Sequence, residues 1–521
     1  MYVLGTDIGT GSTTTIIVEI ETGRIVAKST SDYKPGFIIP KKYLNGAEQW
    51  PEVWWNAVKT TISNCIKKSK CDPKDIVGVS ISGLYGGSGI PVDKGMKPIR
   101  PCIIWLDQRS SRECEILKKE VGEEFFGKIS GNYTIHPYYG YTKLFWFMVN
   151  EPSLFKRTAK IFTPHGFCVY KLTGEHVTDY SSIGNLAGIF DIRKYEISSE
   201  SLEVLSKLAS RITKKRLELK KELFGRLCAS DKIIGEITSE GQKSTGLRKG
   251  TPVVAGGIDA PVSLAAVGGI YAGENSLMLG TSWCWGVLQK RDGAIYPKRL
   301  INYPYVISSE NLIYSFGGGA YTGGAIDPWF KTFFGGEKNL EELEKLATKV
   351  PPGCKGLIFH PFLMGERTPI WNPLATGGFM GLRTIHTKAY AFRAVLEGAA
   401  YLHKWNLEEA VKSGLKLGQK TILSDGGAKS KLWRQILADV TQKNMKYLED
   451  FPGTPYGDAL LATIGTNNGK KTIIKKWLLK YHEIRYNHKF KDIYEKNYHL
   501  FKEIYRTQKI IYKQFHSIGI L

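Results

Sequence analysis

The residues best able to do chemistry lie in the run from Thr251 to Ser282, TPVVAGGIDAPVSLAAVGGIYAGENSLMLGTS. Pro252 to Ala255 reads as a strand that stops at Gly256-Gly257, and the carboxylate of Asp259 follows at once. Small residues from Pro261 to Val267 then suit a helix. A second strand, Ser276 to Leu279, ends in Gly280-Thr281-Ser282. An acid just past a strand and at a helix N-terminus stands where open α/β sheets keep their ligands. Glycines allow close backbone approach, and a hydroxyl-bearing turn can donate to phosphate. Helix capping by Asp259 explains the same pattern without chemistry. The local sequence alone does not choose between cap and base.

Two further turns suit phosphate, although an ordinary tight turn also explains the first. Tyr2 to Gly5 reads as a strand, Thr14 to Ile20 as a second and Arg24 to Ala27 as a third. Between the first two lies Asp7-Ile8-Gly9-Thr10-Gly11-Ser12-Thr13. That hairpin gathers amide and hydroxyl donors beside one carboxylate, which suits a phosphate whose charge is shared with a metal ion. Near the other end, a strand from Thr421 to Leu423 runs into Ser424-Asp425-Gly426-Gly427-Ala428-Lys429-Ser430, and a helix from Leu432 to Thr441 follows. Its glycines stand where a helix N-terminus meets an anion. A strand around Cys102 to Trp105 runs into Leu106-Asp107-Gln108-Arg109; Asp107 and Arg109 suit the hydroxyls of a polyol, but a surface ion pair is the simpler reading. Gly122 to Lys128 mimics a phosphate loop, but Ile129 stands where Ser or Thr should be and no strand precedes it, so it is set aside.

The remaining elements position these turns. A helix is expected from Pro51 to Lys68, a buried strand from Asp75 to Ser82 leading to the loop Leu84-Tyr85, and a strand from Gly89 to Val92. Thr142 to Asn150 and Phe167 to Leu172 read as helices, Leu186 to Phe190 as a strand, and 198 to 228 as a long basic helical region. The second half repeats the plan of the first. It adds the glycine turn at Gly323-Gly324, a strand from Leu357 to Leu363, a helix from Lys388 to Lys412 and a mostly helical, basic tail from Lys470.

At 521 residues, 42% hydrophobic and 23% charged, the chain is globular and divides into two or three domains. A formal charge of +23 would suit nucleic acid. The basic residues are instead spread along the chain with no RNA-binding or zinc-finger signature, so a lysine-rich surface that attracts anionic substrates is expected. Eight scattered cysteines without a CxxC pair fit a reducing compartment. No signal peptide or membrane span is read, and the protein is expected to be cytoplasmic.

These motifs in this order resemble the FGGY family of carbohydrate kinases. TDIGTGST, GAEQWPEVWW, IIWLDQR, GYTKLFW, TDYS, GTPVVAGGIDA, GTS, GERTPIWNP, EGAAYLH and GGAKSKLWRQILADV carry the likeness nearly end to end. The resemblance implies an α/β protein of two actin-like, ribonuclease-H-like ATPase domains with a cleft between them. It divides the chain at 1–250 (sugar-binding), 251–475 (nucleotide-binding) and 476–521 (C-terminal helices). Asp259 is implied as general base, with Asp7 and Asp259 on the Mg2+ side. Thr10, Ser12, Thr13, Gly280, Thr281, Gly323, Gly324 and Gly426 to Lys429 (Gly427 and Ala428 included) are implied around ATP. Leu84, Tyr85, Trp105, Asp107 and Asp259 are implied around the sugar.

The chain departs from the family at Tyr390 and Ala391, in a helix away from the chemistry. More important, similar xylulose kinases carry Met-His and glycerol kinases Arg-Glu where this chain has Leu84-Tyr85. The expectation is therefore ATP-dependent phosphorylation of a xylulose-like ketopentose. The alternatives are another sugar or polyol such as ribulose, erythritol or glycerol, or an ATP-binding sugar sensor without transfer. Partners are a small sugar and ATP rather than nucleic acid or membrane, with a homodimer left open.

Overall fold

The computed structural model of the chain describes residues 1–43, 46–280, 282–319, 329–330, 332–333, 340–363, 365–449, 451–466, 477 and 480–517. They fall into two compact units. The first comprises Met1–Tyr271, Lys290–Tyr314 and Pro452–Leu478; the second comprises Ala272–Gln289, Ser315–Phe451 and Leu479–Leu521. The sequence expectation draws its boundary at 250/251. The compact first unit runs on through the helix Asp259–Ala266 and takes back the helix Thr454–Thr466 from far along the chain.

In the first unit, strands β1 (Tyr2–Ile8), β2 (Ser12–Glu19) and β3 (Ile25–Asp32) form the expected meander. β4 (Ile76–Gly83), β5 (Ile233–Glu236) and β6 (Pro252–Val254) complete a sheet of order β5-β6-β4-β1-β2-β3. β4 runs parallel to both β1 and β6, and its residues are almost all buried, as expected of a parallel strand covered on both faces. Successive residues of β1 look to opposite faces. Thr6 bonds Thr15 Oγ1, which donates to Thr61 of the helix Pro51–Ser69. Gly5 looks the other way, and a Cβ there would come within 2.0 Å of Pro455 O. Only glycine lets the helix Thr454–Thr466 lie this close to the sheet.

The second unit follows a similar plan. Strands β7 (Asn275–Leu279), β8 (Trp283–Lys290), β9 (Leu312–Gly319), β10 (Lys420–Ser424), β11 (Asn444–Leu448) and β12 (Tyr481–Ile484) run in the order β9-β8-β7-β10-β11-β12. β7 pairs antiparallel with β8 and parallel with β10, β10 is parallel to β11, and β12 returns antiparallel. The helix Lys388–Lys412 lies where the sequence places it. Within it Arg393 Nε and Glu397 Oε1 form a buried i,i+4 pair at 2.8 Å, and Arg393 Nη2 reaches across to Tyr494 OH of the helix Lys491–Ser517 at 3.0 Å.

Several expectations need correction. The basic region 198–228 is helical only over Ser199–Thr213; Lys214 adopts a left-handed φ of 53° and ends the helix, and a 3-10 turn (Lys221–Phe224) and a strand (Arg226–Cys228) follow. Leu186 to Phe190 is not a strand. Asp179 accepts from Ser182 N at 3.0 Å and starts a helix, Tyr180–Leu186, leaving only Phe190–Asp191 extended. The strand expected from Leu357 to Leu363 is confined to Ile358–His360. The tail contains β12 as well as helix. All eight cysteines are free. No helix among the described residues is long and apolar enough to cross a membrane.

His403 is fully buried between the rings of Trp283 and Trp285, and neither ring nitrogen has a hydrogen-bond partner among the described residues. Burial lowers its pKa from the ordinary 6.5 to about 3. Below pH 6.5 the unfolded chain takes up a proton that the folded one refuses, so stability falls as pH drops towards 3. His403→Phe removes both the unpaired nitrogens and this proton uptake. Its melting temperature should equal or exceed the parent's at pH 7.5, with an advantage that grows at pH 5; thermal melts at the two pH values check this.

Candidate active site

Three strand ends of the first unit stop at one level. Ile8 of β1 stands opposite Gly83 of β4, and Gly83 stands opposite Ile258, just beyond β6. The alignment is bonded through the backbone: Leu84 N donates to Ile8 O at 2.9 Å, and Gly83 N to Gly257 O at 3.0 Å. Gly256 has φ +75°, and a Cβ there would meet Ile81 O at 1.8 Å. Asp7 and Asp259 therefore project from one end of one sheet, both only partly buried. Asp259 is the first residue of the helix Asp259–Ala266, and Oδ1 accepts from Ala260 N at 2.7 Å. The N-cap is Ile258, so Asp259 stands one residue inside the helix and the capping reading of this side chain does not hold.

The hairpin between β1 and β2 is closed by Gly9 N on Ser12 O at 2.9 Å. Thr10 and Ser12 are partly buried at its tip, and Thr10 Oγ1 accepts from Trp105 Nε1 at 3.0 Å. That bond brings a nucleotide-side and a sugar-side candidate together. Thr13 is different: it is fully buried, and its hydroxyl lies 2.7 Å from Tyr33 OH. Leu84 and Tyr85 directly follow β4 and are 2% and 6% exposed. Burial raises the Tyr85 hydroxyl well above its usual pKa, so the phenol stays protonated.

Asp107 and Arg109 do form an ion pair, but not a surface one. Arg109 Nη2 lies 2.6 Å from Asp107 Oδ2, with both side chains sealed from solvent. Asp107 also accepts from Ala47 N at 2.6 Å, and Arg109 reaches Glu48 at 2.7 Å. The geometry gives Asp107 internal partners that hold the 46–49 segment against the Trp105 loop. Lys143, inside the GYTKLFW motif, is likewise buried. Its Nζ donates to Gly86 O at 2.9 Å, to Tyr138 O at 3.2 Å and to Pro137 O, which fixes the loop after Tyr85. Burial lowers its pKa to about 8, against the pull of Asp107.

Sequence reasoning missed Asp458. It lies on the helix Thr454–Thr466, has no exposure, and accepts from Ser80 Oγ at 3.0 Å and Ser82 Oγ at 2.6 Å. Ser82 Oγ is also 3.2 Å from Asp7 Oδ1, so one hydroxyl links the buried acid to the partly exposed one. Burial, reinforced by the charge of Asp7, raises the Asp458 carboxyl well above the usual range. The signal in the sequence was a lone acid in the small, apolar run TPYGDALLATIG.

In the second unit, β7 and β10 are parallel neighbours, with Met278 opposite Ser424, so their following turns share an end of that sheet. Gly280 lies there beside Asp425: a Cβ on Gly280 would be 3.6 Å from Asp425 Oδ2. Asp425 has φ +71°, and burial raises its carboxyl to about 6. Gly426 and Lys429 are exposed, whereas Gly427 and Ala428 are buried. Gly427 to Lys429 form a single 3-10 turn. Ser430 then caps the helix Lys431–Thr441 by accepting from Trp433 N at 3.0 Å. Thr281, Gly323 and Gly324 lie outside the described residues.

A magnesium ion fits the first unit's sheet end. Asp7 and Asp259 offer hard carboxylate oxygens, and an ion that keeps waters and shares phosphate oxygens needs only one or two such groups. Among the described residues no cluster of three or more His, Cys, Asp or Glu side chains is placed to hold a metal.

The model for the FGGY family of carbohydrate kinases, N-terminal domain, matches residues 2–268, and that for the C-terminal domain matches 275–466. A xylulose kinase of Bacillus subtilis is 26% identical over 470 residues, covering 89% of this chain and 88% of that protein. A gluconokinase of the same organism is 27% identical over 476 residues with the same coverage. The solved structure of xylulose kinase from Rhodospirillum rubrum superposes with a TM-score of 0.85 at 25% identity, covering 98% of this chain and all of that one.

The raised Asp458 carboxyl makes a prediction with a definite sign. The unfolded chain releases this proton above about pH 4 while the folded one keeps it, so stability drains away as pH rises. Asp458→Asn mimics the protonated acid without that loss. In magnesium-free buffer its melting temperature relative to the parent should rise from pH 5 to pH 8; a gap that shrinks over that range would mean that Asp458 is ionised in the folded protein.

Proposed function

The chain belongs to the FGGY family of carbohydrate kinases, phosphotransferases with an alcohol acceptor, and we propose that it transfers the γ-phosphate of ATP to a hydroxyl of a xylulose-like ketopentose. The observation that supports the reading is the register Ile8–Gly83–Ile258, by which Asp7 and Asp259 stand at one sheet end on either side of β4. Asp259 accepts the proton of the sugar hydroxyl as its oxygen forms a bond to the γ-phosphorus. The bond from that phosphorus to the β–γ bridging oxygen breaks, ADP leaves, and the proton passes from Asp259 to water. Such transfer needs positioning and charge stabilisation more than covalent help from the protein.

Asp7 and Asp259 are the groups that would hold magnesium, which when bound neutralises phosphate charge. Thr10, Ser12 and the amides of their hairpin lie near the transferred phosphate. Thr13, turned to Tyr33, supports that hairpin from behind. Gly280 and the Gly426–Lys429 turn serve the nucleotide, where bare backbone and a helix N-terminus favour an anion. Trp105 presents its ring to the sugar while its N–H is held by Thr10. Leu84 and Tyr85 shape the sugar pocket, and Asp107 acts there through the loop it holds.

Ketopentose preference rests on the relatives named xylulose kinase and on the likeness of the flanking motifs. The relatives named gluconokinase, at similar identity, make an aldonic acid the competing acceptor.

ADP release with Mg-ATP should be measured against ketoses, aldoses, polyols and gluconate, beside a control without acceptor. A ketopentose should give the largest kcat/KM; gluconate in first place would move the substrate to the gluconokinase side, and background throughout would favour a sensor. Asp259→Asn should lose at least about a thousandfold in kcat while ATP still binds, since a positioned base and its charge are removed and the nucleotide turns are not. Near-parental turnover would remove Asp259 from the mechanism. Tyr85→His should change the order of acceptors and leave the KM for ATP within about threefold, because a buried side chain by the sugar acts on discrimination.

A further inference from the structure

The motif Thr178-Asp179-Tyr180-Ser181 has no part in the reaction described above, yet its side chains lead to the base. Asp179 is 1% exposed and receives four hydrogen bonds: from His165 Nε2 at 2.9 Å, Ser182 N at 3.0 Å, Ser230 Oγ at 3.3 Å and Ser181 Oγ. Burial disfavours its charge, but the bonds from His165 and the serines prevail and hold the carboxyl below its usual range. A serine hydroxyl has one proton, and that of Ser181 is committed to this carboxylate. Its lone pairs therefore face the other way, and there Ser181 Oγ accepts from Ile258 N at 3.1 Å.

Ile258 is the residue before Asp259. The peptide unit joining Gly257 to Ile258 is thus fixed at both polar atoms: its carbonyl accepts Gly83 N at 3.0 Å, and its N–H donates to Ser181. The first bond is part of the strand-end alignment. The second is supplied by a side chain, because the helix Asp259–Ala266 has Ile258 at its N-cap and no side-chain cap of its own. Gly257 is shaped for this contact, since a Cβ there would come within 3.0 Å of both Ser181 Oγ and Ser230 Oγ.

We propose that Ser181, oriented by Asp179, is a positioning residue for Asp259: it pins the Gly257–Ile258 peptide, one residue before the base. Lost fixation moves the carboxylate relative to the acceptor hydroxyl, and small misplacements of a reacting group are costly to the rate. The clamp does not touch the nucleotide turns, so it governs kcat and leaves substrate affinity alone. The inference rests on Asp259 being the base.

The test compares Ser181→Ala with Ser230→Ala. Both remove one hydroxyl donor from Asp179, but only Ser181 holds the Ile258 amide. Ser181→Ala should lower kcat about 10- to 100-fold, the worth of one buried hydrogen bond, with the KM for sugar and ATP within about threefold. Ser230→Ala should keep kcat within about threefold. Equal losses in the two variants would mean that the serines merely support the fold, and a parental kcat in Ser181→Ala would end the proposal. Should Ser181→Ala not fold, Ser181→Cys keeps the volume with a poor acceptor and should show the same loss in kcat; parental turnover there also overturns the proposal. Asp259→Asn is assayed in parallel. If it stays active, the base assignment has failed; if it is dead while Ser181→Ala is normal, only the clamp has failed.

Discussion

Three parallel strand ends that stop together are the constraint on which the first unit's chemistry depends. The alignment of Ile8, Gly83 and Ile258 is a matter of backbone register, set by amide-to-carbonyl bonds that no side chain can shift. Backbone this close to backbone excludes even a Cβ at Gly256, whose would-be methyl falls 1.8 Å from Ile81 O. A one-residue slip would turn alternate side chains to the wrong face and carry Asp7 away from the sheet end. Register therefore comes first, and the acids inherit their places from it.

Around that backbone, acids of one chemical type take different work according to burial. Asp7 and Asp259 keep some access to solvent and can meet a ligand. Asp107, Asp179 and Asp458 have almost none, and each is occupied by donors from its own chain. A buried carboxylate must be satisfied internally or lose its charge. Asp179 gathers enough donors to stay ionised, whereas Asp458, with the charge of Asp7 close by, is pushed towards the neutral form. The partly buried acids keep free access to a ligand, and the sealed ones brace the neighbouring loops.

The second unit ends its strands differently. Its turns after β7 and β10 offer amides, glycines and the start of a capped helix instead of paired carboxylates. A sheet end lined by backbone donors suits the anionic nucleotide, as a sheet end lined by acids suits a hydroxyl and a cation.

The sequence by itself determined the order of strands and glycine turns, because turn chemistry and apolar runs are local. The strand-end places of Asp7, Asp259 and the Gly426–Lys429 turn were legible for that reason, and so were the helix Lys388–Lys412 and the family. It misread Leu186 to Phe190 as a strand, although Asp179 followed by serines is a helix start once its carboxylate is known to be inside. Only the tertiary structure decided which acids are sealed and which are open. It alone returned the helix Thr454–Thr466 to the first unit, brought Asp458 to within one hydroxyl of Asp7, and set Ser181 against the amide before Asp259. Those contacts join residues about 75 to nearly 380 positions apart. Their partners are chosen by the packing of helix on sheet, and no local pattern of residue types encodes that choice.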